Sequence, residues 1–224
     1  MGSQPLMAGE PVDYTKILTG TSIMELPAKA ASLVAKAGVQ QEQKSVTIAV
    51  VKAAVQLNPT AAAAVVGAIS RAEPEMAPVA AVTAAVLQHK QLGLITKAAA
   101  GAVPAQAAKI VAALIKEFPS SYAVIAIAAS EGAPKAGKEV LAVVADYVPA
   151  VQAGINSAVA SFSSSQALPV QAILNQAVSQ SGVAVPAEVL PLGPPPTPIP
   201  PPVATISPSQ TIPQAPGARS NASP

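Results

Sequence analysis

Prolines recur at a fixed interval through the middle of this chain. Pro59, Pro74, Pro104, Pro119, Pro134 and Pro149 stand on a fifteen-residue beat, and His89 occupies the one missing place. Proline is costly inside a helix but accepted at its first position, where the absent N–H would have had no partner anyway. The beat therefore predicts one helix start per fifteen residues, each a helix of about twelve residues closed by a turn of roughly two or three.

The side chains sort by the same register. With each proline place numbered zero, position six reads Val50, Val65, Ala80, Ile95, Ile110, Ile125, Val140 and Ile155. Position ten reads Ala54, Ile69, Ala84, Ala99, Leu114, Ala129, Val144 and Val159, while Leu92, Tyr122, Phe118 and Val148 add to the stripe from positions three and fourteen. Charges fall elsewhere: Lys135 and Glu75 at one, Lys138 at four, Lys109 and Glu139 at five, Lys52 and Lys97 at eight, and Arg71, Lys116, Glu131 and Asp146 at twelve. At about 100° per residue the two sets point to opposite sides of a helix. Each unit is an amphipathic helix that cannot bury its stripe alone, so neighbours must stack. Short turns set consecutive helices antiparallel. The expected fold is all-α, a right-handed α-solenoid of about five antiparallel helix pairs repeating every thirty residues.

Three segments follow from this reading. Residues 1–26 form a polar N-terminal leader, mostly irregular, with one short helical turn around Tyr14 to Leu18. Residues 27–182 form the helical-repeat domain. Its first helix runs from Pro27 through Val34 to about Val39, and its second from Ser45, a candidate N-cap, to Leu57. Later helices start at Thr60, Glu75, Gln91, Ala105, Ser120, Lys135 and Ala150. The polar joint Gln88-His89-Lys90-Gln91 suggests a looser turn, and the beat falters at Ser163-Ser164-Ser165. A last helix spans Pro169 to about Gln180, with Gly182 as its stop. Residues 183–224 hold 13 of the 24 prolines and two charges, Glu188 and Arg219, a composition expected to be disordered and rich in polyproline II.

Composition narrows the function classes. The net charge is +2, its 13 basic residues form no stripe, and aromatic residues make up only 2% of the chain, so nucleic acid is not an expected partner. The absence of cysteine removes disulfide scaffolds and thiolate metal sites. No transmembrane segment is expected, because the uncharged run from Tyr147 to Ala187 is broken by Pro149, Gly154, Asn156 and Pro169. Leu6-Met7-Ala8-Gly9 ahead of Glu10 and Asp13 resembles the end of a cleavage region. The chain is therefore expected to be secreted or periplasmic, with the cytoplasm as the alternative.

Candidate chemistry is sparse. Gly132 to Glu139 nearly matches a phosphate loop, but Glu139 stands where a magnesium-binding hydroxyl is needed, and the stretch reads as a helix junction. His89 is the only histidine and reads as an exposed joint residue. Glu73 and Glu75 flank Pro74 at a helix start, where acids suit the helix dipole. Asn221-Ala222-Ser223 fits the glycosylation triplet, which arises readily in such a tail. No catalytic, cofactor-binding or metal-binding residue is assigned, and no cofactor is expected.

The run Pro-Ala-Gln-Ala-Ala-Lys-Ile-Val-Ala-Ala-Leu-Ile-Lys-Glu-Phe-Pro at 104–119 resembles the Ala-rich, proline-punctuated helical repeats of bacterial proteins without assigned activity. It is also broadly similar to the tetratricopeptide and HEAT solenoids, although its pair is thirty residues long and lacks the Trp/Gly/Tyr signature. The resemblance spans about 27 to 181. It implies an α-solenoid, and an export signal of the kind many such proteins carry, but no site residues. The functional expectation is a non-enzymatic structural or protein-interaction scaffold with a Pro-rich tether. The alternative is an amphipathic-helix coat on lipid or polymer granules.

Overall fold

The computed structural model describes residues 12–160 and 169–181, which fall in one compact unit. Ser163–Ser165, Gly182, the stretch 183–224 and Asn221 lie outside the described residues. Eleven α-helices follow one another, with no strand among the described residues: α1 (Tyr14–Leu18), α2 (Leu26–Ala35), α3 (Gln40–Leu57), α4 (Ala62–Ala72), α5 (Ala77–Leu87), α6 (Leu92–Ala102), α7 (Ala107–Glu117), α8 (Tyr122–Gly132), α9 (Gly137–Tyr147), α10 (Pro149–Ala160) and α11 (Val170–Ser181).

Each of α4 to α9 is preceded by a three-residue 3-10 turn that starts on the beat: Pro59–Ala61, Pro74–Met76, His89–Gln91, Pro104–Gln106, Pro119–Ser121 and Pro134–Ala136. Turn and helix together make a fourteen-residue unit, so the joint is one residue and not two or three. That residue is Asn58, Glu73, Gln88, Val103, Phe118 or Ala133, held at φ −125 to −146°. Its N–H closes the helix behind, as in Val103 N–H to the Ala99 carbonyl at 3.2 Å. Its carbonyl opens the turn ahead by accepting from Gln106 N–H at 3.0 Å. Proline favours this geometry because its ring disfavours the helical conformation in the residue before it. One residue thus serves both helices, and at Val103 it turns the chain through 117°.

The missing proline leaves no looser turn. His89–Gln91 has the same 3-10 form, with Gln88 N–H on the Ala84 carbonyl and its own carbonyl accepting from Gln91, both at 2.8 Å. The His89 ring meets Phe118 edge-on, 5.1 Å between centroids. Ser45 is not an N-cap. The second helix begins at Gln40, because residues 40–44 are good helix formers with no proline to stop them, and Ser45 Oγ donates back to the Gln41 carbonyl at 3.3 Å. The first helix stops at Ala35 rather than Val39, ahead of the weak helix former Gly38.

The helices lie in two rows. One holds α1, α3, α5, α7 and α9. The other holds α2, α4, α6 and α8, and helices in a row pack on their second neighbours in sequence, thirty residues away. Position six is the spine of the core, at most 1% exposed from Val50 to Ile155. Position ten is fully buried from Ala54 to Val144. Positions seven and eleven complete the seam with Val51, Val66, Val111, Leu141, Val55 and Ile115.

The α4–α6–α8 row packs backbone against backbone. A Cβ added at Gly67 would touch the Ala98 carbonyl at 3.5 Å, and one at Gly132 would lie 2.4 Å from the Lys97 carbonyl. Past α9 the pattern changes. The tenth helix closes on α9 and α11, and α11 rather than α10 lies against α8. Gly154 makes that change of partner possible, since a Cβ there would fall 2.6 Å from Ala177 Cα. The leader takes part too, for Leu18 of α1 is buried in the same core.

Candidate interaction surface

The residues with possible chemistry are used up by the repeat. Gly132 ends α8, Ala133 is the joint, Pro134–Ala136 is the next turn, and Gly137 opens α9, so the phosphate-loop look-alike is a helix junction. Glu75 accepts from Gln106 Nε2 at 2.7 Å and pairs with Lys109 at 3.7 Å, clasping α7 to the turn before α5. Lys97 and Glu131 bind α6 to α8 in the same way at 3.0 Å. His89 is exposed against Phe118. No group of three or more His, Cys, Asp or Glu side chains gathers among the described residues. A groove of about 280 Å³ lies between the starts of α7 and α9, lined by Pro104, Ala105, Ala108, Lys135, Ala136 and Glu139, with no nucleophile among them.

What stands out is a departure from the register. Every charge at positions five, eight and twelve is exposed, and each of α3, α4, α6, α7, α8 and α9 carries at least one there: Lys52, Arg71, Lys97, Lys109 with Lys116, Glu131, and Glu139 with Asp146. On α5 the same three places hold Val79, Val82 and Val86. Val86 is 55% exposed, and Val79 and Val82 are half-buried. This helix has no charged residue from Ala77 to Gln88. On its neighbours in the row, Ile48 of α3 is 37% exposed, and Ala112 of α7, at the register place of Val82, is partly buried.

Lysines outnumber acids on the rim, whose one outward acid, Glu75, stands four residues before Val79 and is engaged by Lys109. From position four to position twelve, α3, α5 and α7 carry Lys52, Lys109 and Lys116 and no acid. Lys109 is engaged by Glu75, whereas Lys52 and Lys116 are exposed and form no ion pair among the described residues. The valine stripe was readable as a gap in the charge pattern, since positions five, eight and twelve are blank in the unit beginning at Pro74. A search for positive motifs passes over such a gap.

No single helix among the described residues is long and apolar enough to cross a membrane. No family model, curated protein or solved structure matches the chain.

Proposed function

We propose that this protein is a non-enzymatic interaction scaffold that holds a protein partner on the outer face of α5, with the proline-dense stretch 183–224 as its tether. The observation that carries the reading is the substitution of Val79, Val82 and Val86 for charge at the solvent positions of one central helix. Scattered exposed apolar residues are ordinary. A contiguous patch rimmed by polar side chains is the mark of a docking surface. The neighbouring helices hold this patch rigid from both sides, so a partner meets a pre-formed surface.

The granule coat is the weaker reading for a physical reason. To lie on lipid, the helices would have to release positions six, seven, ten and eleven, which are buried between them along nearly the whole row.

The test is affinity purification of the full chain from producing cells, beside Val86→Asp and a control, Leu94→Asp, on the other row. Leu94 is 62% exposed and Val86 is 55%, so both variants are expected to keep the wild-type circular-dichroism melt. The reading expects a partner recovered with wild type and the control and lost with Val86→Asp. Identical recovery by all three would defeat it.

A further inference from the structure

We infer that the occupant of the α5 face is an acidic amphipathic helix of the partner, a deduction that rests on the docking face proposed above. Three features lead there. Val79, Val82 and Val86 follow the i, i+3, i+7 spacing of one helix face, so they form a ridge against which a second helix can lay its own stripe. At the register place of Val82, the neighbouring α7 carries the smaller, partly buried Ala112, so no bulky side chain stands there beside the ridge. Of the outward charges around the ridge, Glu75 and Lys109 engage each other, which leaves Lys52 and Lys116, on opposite sides of α5 and in no ion pair among the described residues, as the free ones. A helix with an apolar stripe flanked by Glu or Asp satisfies ridge and rim together.

Two other occupants fit less well. A second copy laid face to face would bring two lysine rims together. An anionic membrane would satisfy the lysines, but three valines, two of them half-buried, without Trp or Phe bulk give little to insert.

The experiment uses the full chain and two synthetic eighteen-residue helical peptides with the same Leu/Ala stripe, one flanked by Glu and one by Lys, together with phosphatidylserine-containing vesicles. Binding is read by fluorescence anisotropy at low and high salt, with Val86→Asp and Lys52→Glu/Lys116→Glu as variants. The Glu-flanked peptide is expected to bind about tenfold tighter at low salt, with the preference shrinking at high salt. Val86→Asp weakens both peptides, and the double charge reversal inverts their order.

Equal binding of the two peptides, still weakened by Val86→Asp, would overturn the acidic partner and leave the docking face standing. Failure of both peptides, with Val86→Asp also leaving cellular partner recovery unchanged, would remove the face itself. Vesicle binding that Val86→Asp abolishes, with neither peptide bound, would overturn the inference in favour of a lipid surface.

Discussion

At the scale of single residues, this fold depends on small side chains placed without error. Gly132 has no room for a methyl group, because the Lys97 carbonyl would lie 2.4 Å from it and the Gly101 backbone nitrogen 2.9 Å away. Gly132→Ala must push α6 and α8 apart, and denaturant unfolding should show a loss of about 1–3 kcal/mol. Gly38→Ala meets nothing within 4 Å and should be neutral or gain up to about 1 kcal/mol. Ser70 offers the reverse case. Its hydroxyl is fully buried with no hydrogen-bond partner, at a place where α3, α5, α6, α7 and α9 carry Val, Ala or Ile and where Ser130 of α8 donates to the Ile127 carbonyl. Ser70→Ala should therefore stabilise by about 1 kcal/mol, read as a higher urea midpoint at unchanged slope. Burial raises the pKa of the Tyr122 phenol above its usual 10.0. The folded state holds that proton longer than the unfolded chain does, so the contribution is full below pH 10.0 and lost as pH climbs through the raised value. Unfolding curves for Tyr122→Phe should lack this alkaline component.

Elements are the scale at which the sequence spoke most plainly. The register identified every buried position-six and position-ten side chain of α4 to α9, because a fifteen-residue beat and a helical period leave little freedom in which face turns inward. It did not resolve the joints. A pre-proline residue that closes one helix and opens the next needs no additional turn residues, so counting loop lengths from typical helix pairs overestimates them. The His89 joint shows that proline aids this geometry without being required for it. His89→Pro should accordingly be tolerated and raise stability by about 0.5 kcal/mol through the unfolded chain, less whatever the Phe118 contact supplies. Proline placed at Ala112, inside α7, should cost about 3 kcal/mol or more. Thermal melts of the two variants would separate these cases. The valine stripe proposed as a docking face was legible only as missing charge on one helix, and the change of partners at α10 and α11 was hidden because the Gly154–Ala177 approach is a tertiary fact.

For the helical unit as a whole, stability is a sum of many modest contacts between second neighbours, as the alternation of Ala with Val and Ile along each seam implies. The ion pairs between helices of one row add little, since Lys97 and Glu131 are each 53% exposed, and such pairs are worth about 0–1 kcal/mol. The fold therefore depends on α4, α6 and α8 lying side by side, thirty residues apart, with their backbones nearly touching. Nuclear Overhauser effects measured on the full chain in solution test it most directly. The account predicts cross-peaks between Gly67 and Ala98, between Gly93 and Val124, and between Gly101 and Gly132, each pair 31 residues apart. A spectrum with helical contacts inside each unit but none at that separation would contradict it.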